Sequence, residues 1–521
     1  MAYSNRERYM KLGIDVGGTN TDAVVFAGKD IIATVKRPTT SDIRAGIVDA
    51  ISQVIGVAGI SPHALSGVMI GTTQFTNAFV ERRNLDKVAI IRLSLPACRS
   101  ILPLADWPKD LKTAVGDHIY LAPGGYEYDG REISPLDEAK IREIAADIST
   151  KGLTSVAISS VFAPVNSEME RCAARILSEI LPDIDISLSS GIGRMGLLER
   201  ENAAIMNASL ASHAHRVMNA FSQSLAQLRI TAPFFITQND GTLMSPAQAR
   251  QFPVLTFSSG PTNSMRGASW LTGLDDALVM DIGGTTTDIG VLHNGFPRES
   301  SLSVDIGGVP TNFRMPDVLA MGLGGGSIVS MEPECRVGPQ SVGYRLTEEG
   351  MVFGGATLTA SDIAVSAGRT VMGDPGRVLN LDQEQVDFAW ETIQAMLEEG
   401  VDKMKTHKGD VVLILVGGGA ILAGERLKGV GRIERPEHFA VANAIGAAIA
   451  QVSGEVDGIF SYADLPRGEI LAEAQSIASK RALAAGAGAD TLRVVDVEEV
   501  PLAYLPNRAV RVRVKVVGDL K

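Results

Sequence analysis

The chain has 521 residues, of which 45% are hydrophobic and 21% are charged, so a globular protein with more than one domain is expected. Its formal net charge of −12 argues against a nucleic-acid or anionic-membrane partner, because both select basic surfaces. The start of the chain lacks the apolar run of a signal peptide, and no segment approaches the length of a bilayer span. We therefore expect a cytoplasmic protein.

Predicted strands and helices alternate in the first part of the chain, which is typical of an α/β domain. Strands are predicted at residues 11–16, 23–26, 67–70, 88–93, 155–161, 184–188 and 234–238. Helices are predicted at residues 43–56, 136–150, 167–181 and 197–229. The segment 106–134 is rich in Pro, Gly and Tyr, and an irregular loop is expected there.

A second α/β unit follows, with strands predicted at residues 278–282, 289–293 and 411–416 and helices at 385–400 and 439–452. The last segment has a helix at 468–485 and strands at 491–497 and 510–517, which indicates a small appended α/β element. The expected domains are therefore residues 1–250, 251–455 and 456–521.

One motif occurs twice. Residues 15–22 read DVGGTNTD and residues 281–288 read DIGGTTTD, with six of the eight positions identical. Each copy follows one apolar strand and precedes another, so each is predicted to form a hairpin. A Gly-Gly turn alone is common in hairpins, but two matched copies in the same context favour a shared function.

The residue types of this motif predict a phosphate clamp. Glycines leave backbone N–H groups accessible to an anion, and threonine hydroxyls add donors. The aspartates at the strand ends need a cation between themselves and a phosphate, and Mg²⁺ suits carboxylates, water and phosphate oxygens. We predict that Asp15 and Asp281 organise Mg²⁺, whereas Asp22 and Asp288 pin the hairpins by accepting backbone N–H bonds. The predicted phosphate ligands are Gly17, Gly18, Thr19, Asn20, Thr21, Gly283, Gly284, Thr285 and Thr286.

The paired loops resemble the two phosphate motifs of the actin, Hsp70 and sugar-kinase ATPases. This resemblance implies two RNase H-like (actin-like ATPase) domains with ATP in the cleft between them. A third glycine turn, Gly417, Gly418 and Gly419, follows a strand in the order expected for the adenosine motif. Gly325 and Gly326, within a further glycine run, are expected to cap the nucleotide.

A narrower resemblance is to the hydantoinase A / 5-oxoprolinase family. It rests on LGIDVGGTNTDAVVF, IGTTQFTNAFVERR, QNDGTLMSPAQA, SSGPTNSMRGA, VMDIGGTTTDIGV, MGLGGGSIV and ANAIGAA. The resemblance implies an ATP-dependent hydrolase that phosphorylates the carbonyl oxygen of a cyclic amide, a B-type partner subunit, and a homo-oligomer. The chain departs from the SGPAGG stretch of many relatives at residues 259–263, which read SGPTN.

Two further residues are candidates for catalysis. Thr72, together with Thr73 and Asn77, could orient a carbonyl substrate, or the threonines could instead begin a helix. Arg200 could neutralise the transferred phosphate, or it could belong to a solvated charged face. A small-molecule kinase, an ATP-dependent carboxylase subunit and a non-enzymatic nucleotide-gated regulatory protein are the alternatives to the hydrolase.

Overall fold

The computed structural model describes residues 10–18, 20–38, 43–300, 303–331, 334–502 and 508–521. The first half of the chain contains the strands β1 (Met10–Val16), β2 (Asn20–Ala27), β3 (Asp30–Pro38), β4 (Leu65–Thr72), β5 (Val88–Leu95), β6 (His118–Pro123), β7 (Ser155–Ser160), β8 (Asp185–Leu188), β9 (Phe234–Thr237) and β10 (Thr242–Met244). Its helices are α1 (Ile43–Ala58), α2 (Gln74–Val80), α3 (Lys109–Val115), α4 (Glu138–Thr150), α5 (Glu168–Ile180), α6 (Leu197–Ser209), α7 (Ala211–Gln227) and α8 (Pro246–Gln251).

The second half contains α9 (Ser259–Thr272), β11 (Ala277–Ile282), β12 (Thr287–His293), β13 (Phe296–Pro297), β14 (Val304–Ile306), β15 (Val309–Thr311), β16 (Val318–Met321), β17 (Ser327–Ser330), β18 (Arg336–Ser341), α10 (Leu346–Glu349), α11 (Ala360–Ser366), α12 (Gln383–Met404), β19 (Val411–Val416), β20 (Val430–Glu434) and α13 (Ala442–Ala448). The C-terminal segment contributes β21 (Gln451–Ser461), α14 (Arg467–Ala484), β22 (Arg493–Pro501) and β23 (Ala509–Gly518).

Two of the sheets repeat one strand order. In the first, β3, β2, β1, β4 and β9 are consecutive neighbours; β1 is antiparallel to β2 and parallel to β4. In the second, β16, β12, β11, β19 and β20 take the same positions, again with one antiparallel and one parallel neighbour on the central strand. The central strands are apolar because helices cover both faces. This repetition confirms the predicted duplicated α/β architecture.

A third sheet lies within the first half. Its four strands are parallel, in the order β6-β5-β7-β8. The prediction of an irregular loop at 106–134 was therefore wrong in part, since α3 and β6 lie within it. β6 is short and ends at Pro123, and Gly124 and Gly125 follow it, so turn-forming residues dominate the composition of this segment.

Two predicted helices also differ from the structure. The stretch 197–229 forms two helices because Asp86 interrupts it: its N–H donates to the carbonyl of Ser209 at 2.7 Å, and its carboxylate accepts from the N–H of Ser212 at 2.8 Å. The stretch 439–452 contains only the short α13, and the chain then extends into β21. Tertiary contacts decided both outcomes.

The C-terminal segment is joined to the first sheet. Strands β21, β23 and β22 extend that sheet beyond β10, so that it has nine strands. An alternating apolar pattern predicts a strand but does not say which sheet edge it joins. The division of the chain at residue 456 stays a prediction. The boundary near residue 250 stays a prediction.

The two halves contact one another through backbone as well as side chains. Helix α13 of the second half lies so close to β1 that a Cβ atom at Gly13 would overlap the carbonyl oxygen of Ala444. Within the second half, α13 also crosses α9 so closely that a Cβ atom at Gly446 would overlap the carbonyl oxygen of Asn263. A hairpin of the second half, β14–β15, buries Ile306 and Val309 in the core of the first half. These contacts fix the position of the cleft between the halves.

Among the helices of the described ranges, none combines the length and apolar character needed to cross a membrane.

Candidate active site

A cavity of about 500 Å³ lies between the two halves, where both repeated hairpins meet. Many of the predicted site residues line it: Gly17, Gly18, Asn20, Asp281, Gly283, Gly284, Thr285, Thr286, Gly325, Gly417, Gly418 and Gly419. Thr19 lies outside the described residues. The two loops are therefore together at one cavity, as their duplication suggested.

Both hairpins close with the same hydrogen bond. The N–H of Gly17 donates to the carbonyl of Asn20 at 3.0 Å, and that of Gly283 donates to Thr286 at 2.8 Å. The first amide of each loop is thus used within the turn, and an anion would have to be held by the amides that follow it. Thr21 is buried in β2 opposite Val16 and does not line the cavity.

Each hairpin carries a pair of carboxylates. Asp15 lies opposite Asp22 across β1 and β2, and Asp281 lies opposite Asp288 across β11 and β12. Neighbouring glycines make room for Asp15 and Asp281. A Cβ atom at Gly71 would overlap the Asp15 carboxylate. Gly417 plays the same part beside Asp281, so the internal symmetry extends to the strands that follow the hairpins.

Burial and mutual repulsion disfavour ionisation of these carboxylates. Burial first, and then the charge of Asp22, raises the pKa of Asp15 to about 6, with a smaller contribution from Asp281. Burial, and then the charge of Asp281, raises the pKa of Asp288 to about 7. Burial also raises the pKa of Asp22 and of Asp281. The ionised forms of these carboxylates therefore lack sufficient compensating positive charge.

Three polar side chains that sequence reasoning missed hold these carboxylates. The Nδ2 atom of Asn443 donates to Asp15 at 3.0 Å and to Asp22 at 2.9 Å. Asn263 donates to Asp15 at 3.3 Å, and the hydroxyl of Ser264 donates to Asp281. All three lie in stretches that carried the family resemblance, which was the signal available for them.

The expected structural role of Asp22 was wrong. Asp22 lines the cavity and accepts hydrogen bonds from Asn443 and from Lys36, whose Nζ lies 3.0 Å away. Its Oδ1 atom is buried and has no hydrogen-bond partner in the described part of the chain. For Asp288, the described residues likewise provide no backbone donor, and its pKa reflects this lack of support.

The carboxylates fit a cation that is held largely by non-protein ligands. No group of three His, Cys, Asp or Glu side chains in the described ranges is arranged to hold a metal ion by itself. Mg²⁺, however, usually takes one or two carboxylates and completes its octahedron with water and phosphate oxygens. The unpartnered Oδ1 of Asp22 and the raised pKa of Asp15 agree with a missing positive charge. The assignment of Asp15 and Asp281 to Mg²⁺ stays a prediction.

The glycines of the run at 324–326 support a loop rather than cap a ligand. The N–H of Gly325 donates to the carbonyl of Gly283 at 3.0 Å, and that of Gly326 donates to Gly284 at 2.7 Å. Gly325 also lines the cavity, whereas Gly326 does not. The expected capping role is therefore replaced by a structural one, in which this run fixes the second hairpin.

Thr72 and Arg200 lie away from the cavity. The Thr72 hydroxyl is buried and accepts the N–H of Gln74 at 3.2 Å, at the start of α2. The Arg200 guanidinium is buried and donates to Ser189 and to the carbonyls of Arg194 and Met195. Both side chains are thus used within the fold, and their role in catalysis stays a prediction that these contacts do not support.

The cavity also has apolar lining. Leu346, Phe353 and Met372 line it, together with Tyr344, which has 60% of its surface exposed. The glycines 417–419 line the same cavity after the end of β19. One cavity therefore combines polar groups, suited to an anion and a cation, with apolar side chains suited to a flat ring.

Removing the charge of Asp288 is expected to stabilise the ligand-free protein. Between about pH 4 and pH 7 folded Asp288 keeps a proton that the unfolded chain has lost, so its contribution to the free energy of unfolding falls as pH rises. Asp288→Asn should therefore raise the Tm at pH 8 by roughly 2–4 °C, and the gain should shrink at pH 5.5. Thermal unfolding without nucleotide or Mg²⁺ measures both values.

The exposed carboxylate of Asp464 provides the control. Asp464→Asn should leave the Tm nearly unchanged at both pH values, because that side chain is already solvated. An equal gain for Asp288→Asn at pH 5.5 and pH 8 would show that the effect does not come from the charge.

The duplicated strand order and the two hairpins at one cavity define a mixed α/β protein with an internally duplicated fold. The chain belongs to the hydantoinase/oxoprolinase family. Residues 11–181 match the hydantoinase/oxoprolinase N-terminal region, and residues 200–406 match the hydantoinase/oxoprolinase region that follows it. The family and the fold class expected from the sequence are thereby confirmed.

Similar proteins include subunits of larger enzymes. Caprolactamase subunit alpha of Pseudomonas jessenii is 25% identical over 483 residues, which cover 85% of this chain and 66% of the relative. Acetophenone carboxylase gamma subunit of Aromatoleum aromaticum is 23% identical, covering 70% of this chain and 54% of the relative. The chain therefore spans about two thirds or less of the length of these relatives.

A solved structure shows the same fold. The crystal structure of the ATP-dependent caprolactamase from Pseudomonas jessenii superposes with a TM-score of 0.78 at 19% identity, covering 98% of this chain and 88% of that one.

Proposed function

We propose that this chain binds ATP·Mg²⁺ in the cavity and uses it to phosphorylate the carbonyl oxygen of a cyclic amide, which is then opened by hydrolysis. The observation that carries the proposal is the pair of matched hairpins at one cavity, which one carboxylate of each hairpin, Asp22 and Asp281, lines. A polyphosphate with its metal ion supplies the charges that this arrangement lacks. The similar caprolactamase, described as ATP-dependent, supports the choice of nucleotide.

The two hairpin loops accommodate the phosphates in this proposal. Amides after the first glycine of each hairpin, at Gly18 and at Gly284 and Thr285, hold phosphate oxygens from two sides. Asp15 and Asp281 orient the water shell of Mg²⁺, which neutralises the charge that develops on the phosphates. The two halves thereby contribute equivalent groups to one ligand.

The apolar lining accommodates the base in this proposal. Tyr344 and Phe353 offer aromatic surface, and Leu346 and Met372 offer aliphatic contacts. Gly417, Gly418 and Gly419 let the backbone approach the ribose closely, as expected of an adenosine motif.

The chemical step joins the amide oxygen to the γ-phosphorus while the bond between that phosphorus and the β,γ-bridging oxygen breaks. ADP leaves with the bonding electron pair, and the amide becomes an imidate phosphate. Water then attacks the activated carbon and loses a proton, and the ring nitrogen takes up a proton as the C–N bond breaks, which leaves an acyl phosphate. A second water hydrolyses this acyl phosphate to the carboxylate and inorganic phosphate. Phosphorylation is required because an amide carbonyl is otherwise a poor electrophile.

Thr73, which precedes α2, and Asn77 on α2 are the candidates to orient the carbonyl in this proposal. The Nδ2 atom of Asn77 donates to the Thr73 hydroxyl at 3.4 Å, and that hydroxyl donates to the carbonyl of Val16 at 3.4 Å. A Cβ atom built at Gly18 would lie 3.9 Å from Asn77 Nδ2, so α2 adjoins the first hairpin. We propose Asn77 and Thr73, in place of Thr72, for this role.

Partner subunits are part of the proposal because two of the similar proteins are named as subunits. A B-type partner would supply the hydrolytic step after phosphorylation, and a homo-oligomer stays a prediction. The similarity to the acetophenone carboxylase subunit favours one second candidate, in which a ketone enolate is phosphorylated and then carboxylated.

The proposal is tested by measuring ADP release with a panel of lactams, hydantoins and aryl ketones, each with and without a B-type subunit. We expect turnover that depends on both Mg²⁺ and a cyclic amide. Stimulation by ketones alone would favour the carboxylase candidate, and accumulation of a stable phosphorylated product would favour a kinase. No stimulation by any compound, with the partner present, would contradict the enzymatic function.

A further inference from the structure

Lys36 occupies a singular position in the cavity. Of the described residues that line it, Lys36 is the only one with a basic side chain. It lies on β3 in the first half, and its Nζ donates to Asp22 Oδ2 at 3.0 Å and to the carbonyl of Ala440, in the second half, also at 3.0 Å. About a third of the side chain, 34%, is exposed, so it can move without rearranging the core.

The Asp22 carboxylate, which Lys36 neutralises, is incompletely hydrogen-bonded. Asp22 is buried and has a second oxygen, Oδ1, with no hydrogen-bond partner in the described part of the chain. Asp22 lies beside Asp15 in register, and Asn443 bridges the two carboxylates. An ammonium group and a divalent cation are therefore alternative sources of positive charge for the same carboxylate oxygens.

We propose that Lys36 is an internal counter-ion that competes with the divalent cation for Asp22, so that the cation binds tightly only when it arrives with a polyphosphate. This inference rests on the proposed nucleotide function and adds the order in which the charges assemble. In the ligand-free protein Lys36 weakens binding of a free metal ion, because two cations near one carboxylate repel each other.

A polyphosphate changes this balance. It brings several negative charges, which attract the Lys36 ammonium away from Asp22 and leave the carboxylate to the shell of the metal ion. Lysine suits this role because its ammonium is a compact charge on a flexible stem, with rotatable donors and no fixed geometry. Lys36 also donates to the carbonyl of Ala440 in the second half. Movement of Lys36 on nucleotide binding would therefore break a contact between the two halves.

The test uses two binding measurements on Lys36→Met. Mn²⁺ binding to the nucleotide-free protein, measured by electron paramagnetic resonance, should become tighter by about tenfold. Binding of a non-hydrolysable ATP analogue with Mg²⁺, measured by calorimetry, should become weaker by about tenfold or more. Opposite changes in the two affinities would identify the counter-ion role, because a purely structural role would weaken the binding of both Mn²⁺ and the ATP analogue.

Two further variants complete the experiment. Lys36→Arg keeps the charge and should hold Mn²⁺ affinity close to that of the wild type. Arg37→Met removes the next cation along β3, which pairs with Asp49 at 3.6 Å and does not line the cavity, and should change neither affinity. Circular dichroism and thermal unfolding establish that each variant is folded, and Lys36→Gln replaces Lys36→Met if the latter is not.

The outcomes separate this inference from the proposed function. Unchanged or weaker Mn²⁺ binding in Lys36→Met would overturn the counter-ion role, even if the wild type hydrolyses ATP. Failure of the wild type to bind any nucleotide would overturn the proposed function, whereas the Mn²⁺ measurement would still decide whether Lys36 competes with a cation. Absence of Mn²⁺ binding in every variant would overturn the inference as well.

Discussion

Replacing Asp281 by asparagine is expected to reduce MgATP-dependent ADP release by at least about a hundredfold, comparable to the loss of one preorganised charge-stabilising group. The substitution keeps the volume of the side chain and an oxygen that can accept the hydrogen bond from the Ser264 hydroxyl. Only the charge that would orient the metal ion is lost. The equivalent change, Asp15→Asn, should act in the same way because the two hairpins contribute equivalent groups. Steady-state kinetics and calorimetric titration with the ATP analogue measure the effect.

The control must remove a carboxylate from the same half of the chain without touching the cavity. Asp276→Asn does this, since Asp276 lies on the surface and, within the described residues, forms an ion pair only with His293. It should leave turnover unchanged. Wild-type turnover in both Asp15→Asn and Asp281→Asn would remove the main support for the proposed metal site.

Alanine at Gly446 is expected to be the most destabilising of the single changes considered. Its methyl group would overlap the carbonyl oxygen of Asn263, which is backbone and cannot rotate away. Helices α9 and α13 would have to separate, at a cost of at least about 3 kcal/mol. Both helices also carry the asparagines that donate to Asp15, so the site would be disturbed together with the fold. Urea or thermal unfolding measures the loss.

Gly56→Ala is the matched control for this prediction. Gly56 also lies in a helix, α1, but nothing lies within 4 Å of a Cβ atom built there. The change should be neutral or stabilise the protein by about 0.5–1 kcal/mol, because alanine favours the helix. A Gly446→Ala variant as stable as Gly56→Ala would show that α9 and α13 are not in backbone contact.

The parts of the site that sequence analysis found were those with local signals. Gly17, Gly18, Gly283 and Gly284 stand in short repeated motifs, and each motif follows an apolar strand that determines where the turn must be. A repeat also predicts spatial proximity when its copies bind one ligand. These features needed no knowledge of the packing between the two halves.

The remaining parts depend on contacts between distant residues. Lys36 stands in no motif, and its partner Ala440 is 404 positions away along the chain. Asn443 donates to Asp15 over a separation of 428 positions. Conversely, Arg200 and Thr72 have the residue types of catalytic groups, but burial commits their donors and acceptors to local hydrogen bonds. Residue type alone does not distinguish these two situations.

The extension of the first sheet by the end of the chain has a consequence for biosynthesis. Strand β10 ends at Met244, and the strand that covers its edge, β21, begins only at Gln451. At the usual rate of protein synthesis, β21 is made roughly 10–40 s after β10, and the edge of β10 stays uncovered during that time. An open strand edge can pair with other chains, so a ribosome stalled after the second half would leave an aggregation-prone intermediate, and a chaperone that shields β10 would be needed most during that interval.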